Sequence, residues 1–425
     1  MQQKVDKDFS LQAVPTGSRV GFWNMLVVML GLTFFSASMW SGGTLGTGLT
    51  FNQFMLAVIG GNLILGIYTG ALGYIAARTG LSTHLLARYS FGEKGSYLAS
   101  FMLGGTQVGW FGVGLAMFAL PVHKVTDINV FLLIAIAGIL MTATAYFGMK
   151  SLTILSFIAV PAIAVLGSVS AFKAADSIGG LAGLMQYQPT EAISMAAALT
   201  IAVGSFISAG TLTPDFTRFS NNKKTGVITT VIAFLVGNSL MFLFGAIGAI
   251  ATGQSDISEV MFLQGLIVPA IIILGLNIWT TNDNAIYASS LGFSNITKIP
   301  KNKVVIFNGI VGTIFAMWLY NNFVGWLSFL GSTLPSIGAI ILADYFIIKK
   351  GEYAPFEKMS FQAVNWIALV AWGLGIVAAK YLPGIPPING LLGTAITYVG
   401  LTYLSHAVFA SNHEPVALQV EKQVR

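Results

Sequence analysis

Apolar runs of about 20 residues, each long enough for a helix to cross a hydrocarbon core of about 30 Å, recur along the whole chain. Nothing else in the sequence narrows the fold so far. In a bilayer every backbone N–H and C=O needs a partner within the protein, so such runs become helices. The charge content agrees: only 8% of the 425 residues are charged, against roughly a quarter in soluble domains. So few charges cannot build a surface facing water, but they suffice for one facing lipid. The expectation is an all-α membrane protein with one membrane domain, not several soluble ones.

Breakers divide the runs. Gly42-Gly43, Pro121, Gly148, Pro189, Gly253, Pro300, Asn321-Asn322, Gly351 and Pro383 sit at or near the joints. The spacing predicts twelve spans, at about 21–41, 51–77, 96–122, 127–147, 151–172, 194–214, 225–251, 260–292, 303–319, 322–347, 361–380 and 387–410. Residues 1–20 and 411–425 are then tails. With the N-terminus cytoplasmic, 18 of the 21 lysines and arginines fall inside, from Lys4 and Lys7 through Arg218, Lys223 and Lys301 to Lys422 and Arg425. Lys124, Lys173 and Lys380 fall outside. A missed helix would invert every later loop and destroy this split, so the positive-inside rule supports twelve spans with both termini inside. The basic loops read as topology signals. The first 20 residues lack an apolar leader core, so the first span is expected to direct insertion.

The chain carries an internal echo. Gly31 precedes Phe34-Phe35-Ser36-Ala37 in span 1, and Gly204 precedes Phe206-Ile207-Ser208-Ala209 in span 6. Five helices apart, the two segments cross the membrane in opposite directions. Two five-helix halves (21–172 and 194–347), each opening with a Gly/Ser-interrupted span, are the pattern of a carrier with discontinuous helices at the midplane. Residues 361–410 add two accessory helices. Gly66-x-x-x-Gly70 and Gly105-x-x-x-Gly109 are expected to pack helices together, and the glycines from Gly42 to Gly48 to form a turn that closes span 1.

Polar residues appear where apolar ones are expected. In span 3, within Gly104-Gly105-Thr106-Gln107-Val108-Gly109-Trp110-Phe111-Gly112, Gln107 and Trp110 are three apart and share a face. An amide beside an indole suits a flat polar heterocycle, and an interhelical amide bond with a packing indole is the alternative. In span 8, Asn277-Ile278-Trp279-Thr280-Thr281-Asn282-Asp283-Asn284 holds six polar residues. Asn277, Thr281 and Asn284 form one stripe with Thr280 beside it, a neutral oxygen set suited to a monovalent cation. Asp283 lies off the stripe, with pairing inside the bundle and gating both open to it. For a bound ring, Gln107, Ser205 (beside Phe206 at the span 6 break) and either Asn277 or Asn284 would supply the edge contacts. His84, His123, His406 and His413 lie at span ends or in loops, which argues against a metal cluster, and Asp215 and Asp344 read as structural. No nucleophile–base–orienter set is apparent, so an enzyme is the least expected class and no cofactor is implied.

The segments 104–112, 204–210 and 277–284, with 30–48 and 319–327, resemble the nucleobase:cation symporter-1 family, and the resemblance runs from about residue 21 to 387. It implies the leucine-transporter fold: a 5+5 inverted repeat of spans 1–5 and 6–10 plus two accessory helices. It implies sodium-coupled uptake from the periplasm across a bacterial inner membrane, with cytosine as substrate. By that resemblance Trp110 and Phe206 sandwich the base. Sodium is held by backbone oxygens of Gly31, Phe34 and Asn277 and the hydroxyls of Thr280 and Thr281. Purine, hydantoin or allantoin carriers of the same family, proton coupling through Asp283, and an ion channel are the competing expectations.

Overall fold

The computed structural model describes residues 8–322 and 333–412. Lys4, Asp6, Lys7, the start of the tenth expected span with residues 323–327, His413, Lys422 and Arg425 lie outside them. Among the described residues the chain is helical throughout, apart from one isolated bridge between Val20 and Ser220.

The helices follow the expected order. Span 1 is two helices, Phe22–Thr33 and Ser36–Gly48, bent by 57° at the break between them. Spans 2 to 5 are Phe51–Thr79, Gly95–Thr126, Val130–Phe147 and Met149–Asp176. Span 6 is broken again, Met195–Gly204 and Ile207–Thr217, with a 46° bend. Span 7 runs through Lys223–Ile232, a wider turn at Ala233–Asn238, and Ser239–Thr252. Span 8 is Ile267–Thr297, span 9 is Lys301–Ile314 with Ala316–Asn321, and the described part of span 10 ends in Pro335–Ile348. Trp366–Tyr381 and Pro386–Asn412 are the accessory pair. Five of these helices are long and apolar enough to cross a membrane by length and composition alone, or seven with each bent pair counted once.

Corresponding spans of the two halves pack on each other: span 2 on 7, 3 on 8 and 4 on 9. Small residues allow the close approach. A Cβ on Gly73 would sit 2.8 Å from the carbonyl oxygen of Gly226, and one on Gly104 would sit 3.1 Å from that of Ser289. Lipid is as apolar as leucine, so such contacts, and not expulsion of water, hold membrane helices together.

Four expectations are corrected. Gly42 to Gly48 do not form a turn but the end of the second helix of span 1. Gly42 and Gly46, one turn apart, press on Phe242 and Ala246 of span 7, which leaves no room for side chains. Pro121 lies inside the helix of span 3, which continues to Thr126. Span 8 begins at Ile267, not near 260; a separate short helix, Ile257–Leu263, ends at a positive-φ turn on Gly265, a conformation glycine adopts freely. Gly66 and Gly70 do face Val231 of span 7, but Gly105 has nothing within 4 Å of a would-be Cβ, so it makes no helix contact there.

The segment before span 1 crosses one end of the bundle. The Asp8 carboxylate accepts the backbone N–H of Met149 at 3.1 Å and pairs with Lys301 at 2.6 Å. Lys301 also donates to the carbonyls of Ala145 (2.9 Å) and Tyr146 (3.3 Å). Arg218, at the end of span 6, donates to the carbonyls of Asp8 (2.8 Å) and Phe9 (2.9 Å) and to the Tyr287 hydroxyl (3.1 Å). Arg218, Lys301 and Asp8 are all buried. Removing one member of a buried pair strands the other charge, at a cost of about 3–5 kcal/mol. Asp8→Ala is therefore expected to lower the thermal unfolding temperature in detergent markedly, and Asp8→Ala with Lys301→Met to recover more than half of that loss. Equal loss in both variants would show that the pair itself, not the stranded lysine, carries the stability.

Candidate functional site

The two breaks fall inside the bundle, where an interrupted helix leaves peptide groups unpaired. At the break in span 1, Phe34 (φ −80°, ψ 88°) leaves the helical range and Phe35 (φ −137°, ψ 134°) is extended. Phe34 N–H still closes on the Leu30 carbonyl at 2.9 Å. The helix then ends, and the carbonyls from Gly31 onward have no next turn to accept from. On the far side, the Ser36 N–H and hydroxyl both donate to Oδ1 of Asn277, at 2.9 and 3.0 Å. A side chain of span 8 thus caps the second half of span 1. At the break in span 6, Phe206 (φ −130°, ψ −3°) leaves the helix, and the Ser205 hydroxyl closes back on the Ala202 carbonyl at 2.9 Å.

Between the breaks lies a cavity of about 30 Å³, room for about two waters at roughly 10–15 Å³ each. Span 1 contributes Leu32 and Phe35, span 3 Gln107 and Trp110, span 6 Ser205, Phe206, Ser208 and Ala209, and span 8 Thr281, Asn282 and Ala285. The Trp110 ring meets Phe35 edge-on at 5.5 Å, and Phe206 meets Phe234 edge-on at 5.4 Å. Gln107 is buried, and its Nε2 has no hydrogen-bond acceptor among the described residues. A buried donor left unpaired costs about 1–3 kcal/mol, so this amide is poised for a guest with an acceptor.

Gln107, Trp110, Ser205 and Phe206 therefore meet in one place, with Thr281. Asn277 and Asn284 do not line the cavity. The Asn277 amide is spent on Ser36, and Asn284 turns back to donate to the Thr280 carbonyl at 2.8 Å. The candidate cation residues form a neighbouring group. A Cβ on Gly31 would lie 3.6 Å from that of Thr280 and 2.6 Å from the hydroxyl oxygen of Ser156 on span 5. The Thr280 hydroxyl donates within its own helix, within reach of the Leu276 carbonyl at 3.0 Å and the Asn277 carbonyl at 3.1 Å, and the Thr281 hydroxyl donates to the Asn277 carbonyl at 2.9 Å. With their protons committed inside the helix, both hydroxyl oxygens keep lone pairs for a cation.

Two residues escaped the sequence reading. Asn282 lines the cavity while its Nδ2 donates to the Phe111 carbonyl at 3.0 Å; Gly114 has to be glycine, because a Cβ there would collide with that amide. Asn282 stood in the polar run, but one residue off the stripe, and the stripe does not show that span 8 is wedged between spans 1 and 3. Ser156 carried no signal among ordinary apolar neighbours. Asp283 is buried, and its Oδ2 has no hydrogen-bond partner among the described residues.

An inverted pair of five-helix halves around two broken spans, with a small cavity at the breaks lined by aromatic, apolar and a few polar side chains, defines a membrane transporter of the leucine-transporter fold. The family model for permeases of cytosine/purines, uracil, thiamine and allantoin matches residues 13–405, and the chain belongs to that family. It is 57% identical over 394 residues to the cytosine permease of Escherichia coli K12, covering 93% of this chain and 94% of that protein. Among solved structures it is similar to a nucleobase-cation-symport-1 family transporter in a closed conformation with bromovinylhydantoin bound (TM-score 0.83, 17% identity, 93% of this chain and 95% of that one). It is also similar to the inward-facing conformation of the same transporter (TM-score 0.79, 18% identity, 93% and 94%).

The contact at Gly31 yields a test. Gly31→Ala forces its new methyl against Ser156 and is expected to lower the unfolding temperature, and adding Ser156→Ala removes the nearest atom and should restore part of it. Thermal unfolding of both variants checks this; no recovery in the double variant would place the strain elsewhere.

Proposed function

We propose that the chain imports cytosine by sodium-coupled symport with alternating access, as a multi-pass protein of a bacterial inner membrane with both termini cytoplasmic. The observation that carries the reading is the meeting of Gln107, Trp110, Ser205, Phe206 and Thr281 between the two broken spans. Identity to cytosine permease at 57%, against 20% to hydantoin permease and 23% to allantoin permease, supports cytosine over the other family substrates.

The hydrogen-bonding character of the lining supports the same choice. The Ser205 and Thr281 hydroxyls already donate to their own helices, so toward the cavity they act as acceptors. Gln107 Nε2 is a free donor. Cytosine offers an amine for the acceptors, and O2 and N3 for the donor. Uracil replaces the amine by a carbonyl and carries a proton on N3. Sites built on such bonds reject ligands that leave buried groups unpaired. The cavity is smaller than a base, so Trp110 and Phe206 move apart to admit it.

Gly31, Phe34, Asn277, Thr280 and Thr281 are the residues that would hold sodium. The ion supplies a positive charge that steadies the carbonyl ends freed at the span 1 break, and so couples its own binding to the closure of that break over the base.

Uptake of labelled cytosine into proteoliposomes tests the reading directly. An inward sodium gradient should drive accumulation, and choline in place of sodium should abolish it; uptake that follows a proton gradient instead would point to Asp283. Thr281→Ala should raise the sodium concentration for half-maximal uptake by about tenfold and weaken cytosine binding at fixed sodium by reciprocity. Trp110→Ala should weaken binding about 5- to 150-fold, since stacking is worth roughly 1–3 kcal/mol per base. Gln107→Ala should also narrow the gap between cytosine and uracil. If both variants bind cytosine like the parent, the cavity is not the substrate site. In a chain without cysteine, Glu259→Cys should label from the periplasm and Lys223→Cys should not; the reverse pattern would overturn the orientation.

A further inference from the structure

A groove of about 580 Å³ runs between spans 4 and 9 on the outside of the bundle, far larger than the central cavity. Its floor is recessed because Gly138 and Gly309 let the helices touch through Thr313 and Thr142. Its walls are apolar and exposed, with Ile139, Phe147 and Ile310 prominent. It extends along span 4 from Ala135 to Phe147, about 18 Å of helix. That is close to one leaflet of a core about 30 Å thick. A second helix lying in the groove would run the full thickness, whereas an acyl chain ends at the midplane.

The end of the groove at Tyr146, Phe147 and Ile306 meets the lysine-rich face. Asp8 ties Met149 to Lys301 there, which brings the start of span 5 beside the start of span 9. Lys150 and Lys303 follow those two residues. Both are exposed, and neither enters an ion pair among the described residues. Lys303 shares a helix face with Ile306, three residues on. Asp8 is buried against Lys301 and does not offset them.

We propose that this groove binds an anionic phospholipid of the adjoining leaflet, its acyl chain between spans 4 and 9 and its phosphate between Lys150 and Lys303. Paired cations at the end of an apolar interhelical groove are the arrangement that recognises such head groups.

Native mass spectrometry of delipidated protein, titrated with phosphatidylglycerol and with phosphatidylcholine of the same acyl chains, tests the proposal. Each lysine near a lipid head group is worth about fivefold in affinity. The parent should therefore bind phosphatidylglycerol at least fivefold more tightly than phosphatidylcholine, and Lys150→Gln with Lys303→Gln should bring the two within twofold. Ala143→Trp fills the groove from its lipid side and should weaken both lipids at least fivefold; Ile310→Trp is a second filler should the first fail to fold, and unfolding temperatures near the parent's establish folding. The proposal is overturned if the parent shows no preference, if the preference survives loss of both lysines, or if a folded groove-filling variant binds like the parent. A dimer of the parent that the groove-filling variants abolish, without lipid preference, would assign the groove to a second copy of the chain and overturn it equally.

Discussion

The structure is organised around two places where a helix stops inside the membrane. A peptide group without a partner in hydrocarbon costs several kcal/mol, so each break has to be surrounded by protein that answers it. This is why the polar residues lie where they do. Asn277 Oδ1 accepts from the Ser36 N–H and hydroxyl, Ser205 folds its hydroxyl back on span 6, and the hydroxyls of Thr280 and Thr281 turn back onto carbonyls of their own helix. The breaks demand polar neighbours, and the neighbours in turn bring hydrogen-bonding groups to a cavity at the centre of an apolar bundle. A site at the centre of the bundle is a consequence of the interruption, not an addition to it.

The rest of the bundle makes the interruption tolerable. Spans 2, 3 and 4 each pack on their counterparts 7, 8 and 9, so the broken pair is held in a frame of continuous helices. Where that frame is tightest it is built from glycine. Gly73 meets Gly226, a Cβ on Gly112 would sit 2.7 Å from the carbonyl oxygen of Gly312, and Gly42 and Gly46 lie against span 7. Dispersion falls steeply with distance, so backbone-to-backbone approach gains contacts that larger residues would forfeit. Of the 48 glycines in the chain, those at these crossings are fixed by space and not by backbone angle, since they sit within ordinary helices.

What the sequence could reveal depended on what kind of constraint each feature obeys. The spans, the two breaks and the Gln107–Trp110 pair were legible because membrane thickness, backbone satisfaction and helical period act along the chain. Gly42 to Gly48 were misread because a glycine run looks the same whether it turns or packs; only the position of Phe242 and Ala246 decides. Asn277 and Asn284 share a stripe with Thr281, yet one side chain caps another helix and the other folds onto its own. Asn282 and Ser156 were missed because their place depends on helices distant in sequence. Period gives the face of a helix. It does not give the neighbour.

The lysine-rich face illustrates the same division in its charges. Counted along the chain, Arg218 and Lys301 are two more topology signals, equivalent to Lys223 or Lys303. In the fold they are buried, and each is solvated by protein: Arg218 by the carbonyls of Asp8, Phe9 and Asp215 and the Tyr287 hydroxyl, Lys301 by Asp8, the carbonyls of Ala145 and Tyr146, and the Tyr287 ring 4.8 Å away. Net of desolvation, a buried ion pair adds little stability over an apolar pair of the same shape. What it adds is selectivity of geometry, because only a segment presenting a carboxylate and two carbonyls at this spacing satisfies both cations. The short stretch from Asp8 to Phe9 does so, and in doing so joins the start of span 5, the end of span 6 and the start of span 9, which belong to both halves of the repeat. The charges that read along the chain as topology signals and those that fasten one end of the bundle are thus drawn from the same residue types, told apart by burial.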